Sequence, residues 1–365
     1  MVTLFLFVKG TATTEIENLV AQAQVAAALD TLDKLRAAPE IGEMVVATAN
    51  ADFAARAAAL GARIEMDPLG DYFHFGRRLA DLVSKYRAAI PLYVGGGSGA
   101  LMSVADWQSL VEQIRAKPNS LITNNFYSCD FAAWSPGEAL ERIAPPELDN
   151  DLAFRLSRQA GLDVTALPKN AATQFDIDTP ADLLTLAPAP AVGKHLRGYL
   201  ETTRLDTTRV QEIKSLIENP AAPLLIAGRV SASMALFLER ETRCQWRIFS
   251  EERGMRASGR EQRGAVRSLL GFYLDRASPT ELFSALAQLA DGIILDSRVL
   301  FAHYRLRPSA ADRFYSDLLE IEPIADPFVH AFTAAARQAP RPVLLGGHSL
   351  VSGGMYALAA PWRAG

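Results

Sequence analysis

Short apolar runs alternate with longer amphipathic stretches through the first half of the chain. Strand-like runs lie at Val2–Val8, Met44–Thr48, Ile90–Val94 and Ser120–Thr123. Helical periodicity occurs at Glu15–Arg36, Asp52–Leu60, Phe73–Arg87, Val104–Ala116 and Glu147–Ala160. Because parallel strands need crossover connections of about this length, the pattern predicts an α/β domain with a mostly parallel sheet and helices on both faces.

A second alternation starts at Pro223. Strands are expected at Leu224–Ala227, Trp246–Phe249, Gly292–Leu295 and Val343–Leu345. Helices are expected at Ser231–Arg240, Gln262–Leu274, Pro279–Ala290, Ala310–Leu318 and Pro327–Gln338. This predicts a second, smaller α/β domain with a parallel sheet of about four strands. The proline-rich stretch Leu186–Val192 is typical of a stiff linker, so we expect domains at residues 1–189 and 190–365.

Composition narrows the class of protein. With 365 residues, 49% hydrophobic and 21% charged, the chain can bury two full cores. Its net charge of −4 argues against nucleic-acid binding by bulk charge. The two cysteines lie far apart, which excludes a disulfide framework. No apolar stretch approaches the roughly 20 residues of a membrane span. We expect a cytoplasmic protein with a small-molecule ligand. The sequence does not decide its oligomeric state, and a homo-oligomer is possible.

One motif resembles a known family. The segment Phe175–Leu184, Phe-Asp-Ile-Asp-Thr-Pro-Ala-Asp-Leu-Leu, resembles the closing motif of nucleotidyltransferases such as the molybdopterin and 2-phospholactate guanylyltransferases. Glu43–Thr48, Pro91–Gly95 and Leu101–Trp107 follow the family's order of elements. The resemblance covers residues 1–187 and implies a glycosyltransferase-A-type sheet. It also implies Mg²⁺-dependent transfer of a nucleoside monophosphate from an NTP to a small phosphorylated or carboxylated acceptor.

The chain departs from that family at two places. The family opens with a glycine-rich loop that carries an arginine and a lysine, whereas Lys9–Glu15 has one glycine and no arginine, which leaves Lys9 as the candidate cation. Ser98 stands where the family has an aspartate that binds magnesium, and a hydroxyl is a poor sole replacement for a carboxylate at a hard cation. Both a retained transferase and a degenerate nucleotide- or sugar-binding protein are therefore compatible with the sequence.

Three features of the first half are candidate ligand contacts. Four glycines and a serine follow a strand, namely Gly95, Gly96, Gly97, Ser98 and Gly99. Such a loop presents backbone amides to an anion, although it also suits a plain turn. Asp176 and Asp178 share one face of an extended segment and would hold Mg²⁺. Thr179 or Asp178 is expected to cap the next helix; Asp178 is preferred, which makes Asp176 the stronger metal candidate. Asn124 at a strand end suits a base or sugar, or a turn.

Arginines are concentrated in one segment of the second half. Five of them fall between residues 253 and 267, and Arg253, Arg256 and Arg260 are the candidates for binding phosphate or carboxylate. The alternative is a solvated loop whose arginines pair with its own glutamates.

Polar residues also follow two strands of the second half. Asp296 and Arg298 come after one strand, and His348 and Ser349 come after the last. Because the carboxyl ends of parallel strands share one edge, these residues are expected to form a pocket, with His348 as a base oriented by Asp296. Ser349 would otherwise cap a helix among packing glycines. This gives a third hypothesis, an enzyme that acts through a C-terminal anion-binding site.

Overall fold

The computed structural model describes residues 1–9, 12–68 and 73–360. Its contacts divide the chain into two compact units. The first comprises Met1–Ala12, Ala21–Asp176 and Ala191–Tyr199, and the second comprises Thr13–Val20, Ile177–Pro190 and Leu200–Gly365. Each unit contains its own sheet.

The first sheet is built from strands that alternate with helices. The elements are β1 Val2–Val8, α1 Glu15–Arg36, β2 Ile41–Thr48, α2 Ala51–Ala59, β3 Arg63–Met66, α3 Phe75–Lys85, β4 Pro91–Gly95, α4 Val104–Ala116, β5 Ser120–Thr123, β6 Phe131–Ser135, α5 Leu152–Arg158, β7 Asp163–Ala166 and α6 Ala171–Gln174. Within the described residues the strand order is β3-β2-β1-β4-β6-β5-β7. Only β6 runs antiparallel to its neighbours among these seven strands.

Both faces of this sheet are buried. Along β1, Leu4 and Leu6 join one apolar cluster with residues of α1, α2 and α4, while Phe5 joins another with residues of α3 and α5. This follows from the pleat, since successive side chains of a strand point to opposite faces. The prediction of a mostly parallel sheet with helices on both faces is confirmed.

The second sheet has four strands within the described residues, all parallel, in the order β11-β10-β8-β9. The remaining elements of the chain are α7 Pro180–Leu186, α8 Lys194–Thr202, α9 Thr208–Ile217, β8 Pro223–Gly228, α10 Ala232–Glu241, β9 Gln245–Ser250, α11 Leu269–Leu274, α12 Pro279–Leu289, β10 Gly292–Asp296, α13 Ser297–His303, α14 Ala310–Leu318, α15 Pro327–Arg337, β11 Val343–Gly346 and α16 Met355–Ala359. A second, smaller α/β sheet is likewise confirmed.

The carboxyl ends of β8, β10 and β11 lie side by side. Asp296 is paired in register with Gly346, and a Cβ placed on Gly228 would lie 2.4 Å from the Cβ of Asp296. The φ of Gly228 is +120°, a conformation that side chains disfavour. The close approach of these strand ends brings the polar residues that follow them to one edge of the sheet.

Several element predictions were incomplete or wrong, and the short helices α6, α13 and α16 were not predicted. The short strands β3, β6 and β7 were not predicted. The expected helix Gln262–Leu274 is wrong over its first half, because residues 253–264 form successive turns and α11 begins only at Leu269. Glycines with positive φ at Gly254, Gly259 and Gly264 set these turns.

Within the described ranges, no helix is both long enough and apolar enough to cross a bilayer.

Candidate functional site

The glycine-rich loop lies at the carboxyl end of β4. Ser98 is buried, and its hydroxyl donates to the carbonyl oxygens of Gly95 at 2.8 Å and Asp130 at 3.1 Å. Its backbone forms an antiparallel bridge with Asp176. Ser98, at the position of the family's metal aspartate, therefore lies beside Asp176, the stronger metal candidate, but the Ser98 hydroxyl already donates to two carbonyls.

The amides of this loop are less fully used. Gly95 N donates to Asp130 O at 3.0 Å and Ser98 N donates to Gly95 O at 3.1 Å. Gly96 lies at the end of the ladder between β1 and β4, beside the carbonyl of Phe7. No described residue accepts a hydrogen bond from the amide of Gly97, which is buried. A backbone amide without an acceptor beside a strand end is the kind of donor with which protein loops hold anions.

Two further candidates of the first unit have defined surroundings. Lys9 is exposed just after β1. Asn124 is buried, its Nδ2 donates to Asp130 Oδ2 at 2.6 Å, and its Oδ1 accepts from the Asp130 amide at 3.0 Å. Both ends of the Asn124 amide therefore serve this turn, and its contact with a base or sugar stays a prediction.

The N-cap of α7 is Thr179, so the prediction that Asp178 caps this helix is wrong. Asp182 completes a capping box and is fully buried. Its Oδ2 accepts from the amides of Asp178 at 3.0 Å and Thr179 at 2.7 Å, from the Thr179 hydroxyl at 3.0 Å and from the Ser349 hydroxyl at 2.9 Å. Burial, and then the charge of Asp178, raise the pKa of Asp182 to about 7.

The sequence did not reveal the bond between Asp182 and Ser349. The two residues are 167 positions apart, and no local pattern links them.

The polar residues at the strand ends of the second unit are organised around two ion pairs. Asp296 is fully buried and accepts from Arg229 Nε at 2.6 Å and Nη2 at 3.0 Å. Arg298 donates from Nη1 and Nη2 to the two oxygens of buried Asp317, at 2.7 and 2.6 Å. Burial raises the pKa of Asp296, but the Arg229 charge and its hydrogen bonds outweigh burial and hold that pKa below its usual range.

His348 does not form the predicted base–carboxylate pair, since Asp296 bonds to Arg229. Its imidazole is exposed. Partial desolvation, and then the positive charge of Arg229, lower the pKa of His348, while Asp296 acts in the opposite direction. The structure brings His348 near the predicted carboxylate without a hydrogen bond between them in the described part of the chain.

Two of the five arginines of the arginine-rich segment pair with its own glutamates. Arg260 makes two bonds to Glu252, at 2.8 and 2.7 Å, and Arg256 bonds to Glu261 at 3.0 Å. Arg253 is exposed. Arg256 and Arg298 also line one cavity, and Arg253 and Arg260 are not among its lining residues. The other four arginines of that cavity were not among the candidates predicted from the sequence, namely Arg263, Arg305, Arg307 and Arg313.

Among the described residues, no group of three or more histidine, cysteine, aspartate or glutamate side chains is arranged to hold a metal ion. The Ser98 hydroxyl is bound to two carbonyls, so it does not replace the metal-binding aspartate that the resemblance implies. Magnesium binding at Asp176 and Asp178 stays a prediction.

No family model matches the chain, and no curated protein matches it. Among solved structures it is similar to a CMP:2-keto-3-deoxy-manno-octonic acid synthetase complexed with CTP, at 14% identity and a TM-score of 0.38 over 50% of this chain and 95% of that one. It is also similar to a cytidylyltransferase from Leptospira borgpetersenii serovar Hardjo-bovis, at 14% identity and a TM-score of 0.41 over 59% of this chain and 95% of that one. Similarities at this identity and TM-score establish neither a family nor a function for this chain.

Proposed function

We propose that this chain is a nucleotidyltransferase-like protein that binds a nucleotide or nucleotide sugar at the carboxyl edge of its seven-stranded sheet. The observation that carries the proposal is the Gly95–Gly99 loop beside Asp176, in which the amide of Gly97 has no acceptor among the described residues. An anionic phosphate is a natural acceptor for such an amide. The resemblance of Phe175–Leu184 to the family's closing motif, which includes Asp176, supports a nucleotide as the carrier of that phosphate.

We further propose that the unit binds without transferring a nucleotidyl group. Phosphoryl and nucleotidyl transfer depend on cations that neutralise charge as it develops. Here Ser98 occupies the position of the family's metal aspartate, and its hydroxyl donates to two carbonyls. Lys9 is exposed and lies outside any arginine-bearing loop. These observations favour the degenerate binding protein over the active transferase.

Binding is tested by calorimetric titration of the full chain with CTP, GTP, ATP and sugar nucleotides, with and without Mg²⁺. We expect at least one of them to bind, with a Kd that changes by less than about tenfold on addition of Mg²⁺. Gly97→Pro removes one free amide at a residue whose φ is not positive. It should weaken binding by about tenfold, the range of one charge-assisted hydrogen bond.

Gly61→Ala is the matched control, because Gly61 has open space around it. Equal affinity of the Gly97→Pro and Gly61→Ala variants for the nucleotide would show that the Gly95–Gly99 loop does not bind it. Transfer is followed by pyrophosphate release with a panel of phosphorylated and carboxylated acceptors. Release that disappears in Asp176→Asn would establish an active transferase and overturn the second proposal.

A further inference from the structure

The second unit contains a cavity of about 590 Å³. It is open to solvent on one side and is lined by the turns around residues 256–264, by α13 and by the segment that leads into α14. This volume is in the range of small-molecule sites. Six arginines contribute to its wall, namely Arg256, Arg263, Arg298, Arg305, Arg307 and Arg313, together with Phe301 and Leu306.

The positive charge of this wall is not balanced locally. Glu261 is the one acidic lining residue, and it pairs with Arg256. Arg298 pairs with Asp317. Within the described residues, no carboxylate lies within 4.0 Å of the guanidinium group of the other four, Arg263, Arg305, Arg307 and Arg313. Two of these four, Arg263 and Arg313, donate to backbone carbonyls instead. In a protein of net charge −4, four arginines without a carboxylate partner around one cavity form a concentrated cationic surface that an anion would stabilise.

Arg313 carries the clearest sign of this imbalance. It is half-buried. Desolvation lowers its pKa, repulsion from Arg298 and Arg256 lowers it further, and Asp317 and Glu261 compensate only in part. The folded protein therefore holds several like charges together at a free-energy cost, which a bound anion would offset.

Two arginines are held in place by the fold. Arg298 is fixed by its bidentate bond to Asp317. Arg305 follows α13 in the left-handed conformation that ends many helices, with a φ of +56°. The Arg305 amide donates to Ala302 O at 3.1 Å and the Leu306 amide to Phe301 O at 2.8 Å. The Nε of Arg305 lies beside Gly264, where a Cβ would be 2.8 Å from that atom. This helix end, together with the absence of a side chain at Gly264, sets the course of Arg305 along the cavity wall.

We infer that this cavity binds a small molecule that carries two phosphate groups. A phosphate monoester has about −1.5 to −2 charges at neutral pH, so two of them match four unpaired arginines better than a dicarboxylate does. The planar guanidinium group suits phosphate oxygens in bidentate geometry. Phe301 and Leu306 leave an apolar side for the organic part of such a ligand. This site is separate from the nucleotide site proposed in the first unit and does not depend on it.

The experiment is calorimetric titration of the full chain with pyrophosphate as the probe, beside inorganic phosphate, citrate and a short single-stranded oligonucleotide. Pyrophosphate should bind at least about tenfold more tightly than inorganic phosphate or citrate, and more weakly at high salt. Arg305→Gln and Arg313→Gln should each weaken it by about tenfold. Arg276→Gln, an exposed arginine outside the cavity, should leave it unchanged.

Thermal unfolding of Arg313→Gln without ligand separates binding from folding. Because the substitution relieves repulsion from Arg298 and Arg256, its Tm should equal or exceed that of the unsubstituted protein while pyrophosphate binding falls. Equal weakening in Arg276→Gln would show a general charge effect and overturn the inference. Tighter binding of citrate or of the oligonucleotide would overturn the ligand class. The Gly97→Pro variant should bind pyrophosphate normally at this site, so failure of the nucleotide proposal stays distinguishable.

Discussion

At the scale of single residues, Asp182 shows how one buried carboxylate links two distant parts of the second unit. Its Oδ2 accepts four hydrogen bonds, three from the start of α7 and one from Ser349. Its Oδ1 has no partner among the described residues. One oxygen therefore supplies the whole interaction, and removing it leaves several buried donors unsatisfied.

Asp182→Ala should lower the free energy of unfolding by about 2–3 kcal/mol, because it removes a capping acceptor and leaves buried donors without a partner. Asp182→Asn keeps an acceptor oxygen and should cost less than half of that loss. Asp106→Ala is the control, since Asp106 completes an exposed capping box on α4 and should cost about 1 kcal/mol. Urea denaturation measures all three. Equal losses for the two alanine variants would show that burial and Ser349 add nothing.

A second residue-scale prediction concerns the pair of Arg229 and Asp296. Arg229→Met leaves the fully buried Asp296 without its cation, and we expect a loss of about 3–5 kcal/mol near neutral pH. In the unsubstituted protein, the bond to Arg229 holds the pKa of Asp296 below its value in the unfolded chain. The stabilisation that this bond provides is therefore present above the unfolded pKa and is lost as the pH falls through the folded pKa. In the variant, burial should raise that pKa instead, so the uncompensated carboxylate destabilises the protein increasingly as the pH rises.

The stability difference between the two proteins should therefore widen with rising pH. Urea denaturation at about pH 5 and about pH 7.5 checks this, with a loss at the higher pH that exceeds the loss at the lower one. A loss independent of pH would mean that Asp296 keeps its ionisation without Arg229.

At the scale of elements, apolar runs identified the strands that are buried on both faces. Strands such as β1, β4 and β10 have continuous apolar sequences and were predicted within a few residues. The edge strands β3 and β7 have half-exposed, mixed sequences of four residues, which no pattern distinguishes from a loop. Strand β6 is buried but antiparallel, so it does not fit the alternation of strands and helices.

The candidate site was less predictable than the fold, for a physical reason. Sequence position showed that Asp296 and His348 would follow neighbouring strands, since parallel strands end at one edge. It could not show that Arg229 would take the Asp296 carboxylate, because that bond joins residues 67 positions apart. Side-chain partners at a sheet edge depend on rotamers and packing, which leave no periodic trace in the chain.

Gly99 gives an element-scale prediction about the loop that follows β4. Its φ is +67°, and a Cβ there would lie 2.6 Å from Trp107 Cζ2, a fully buried ring on α4. Gly99→Ala should therefore cost about 2–4 kcal/mol through backbone strain and overpacking. Gly61 has a φ of +90° with open space around it. Gly61→Ala should therefore lower the free energy of unfolding by only about 1 kcal/mol, through backbone strain. Similar melting temperatures for the two variants would show that the Trp107 contact is not limiting.

At the scale of the whole molecule, helix α7 is the segment that most affects how the chain can be divided. All seven of its residues are buried. It contacts β11 and α14, and a Cβ placed on Gly346 of β11 would lie 3.2 Å from Ala181. These contacts, with the bond from Ser349 to Asp182, assign the helix to the second unit, although the linker-like prolines follow it in sequence.

A fragment of residues 177–365 should therefore be more stable than one of residues 190–365, which begins at the boundary expected from sequence. Losing α7 uncovers the surface that Leu183, Leu184 and Leu186 bury, and each such side chain contributes about 1.5–3 kcal/mol. Urea denaturation of the two fragments measures the difference, which we expect to exceed about 4 kcal/mol or to leave the shorter fragment unfolded. A peptide of residues 177–189 added in trans should raise the Tm of the shorter fragment, because it can dock as α7 does. Equal stability of the two fragments, with no effect of the peptide, would place α7 outside the folding unit that contains β11.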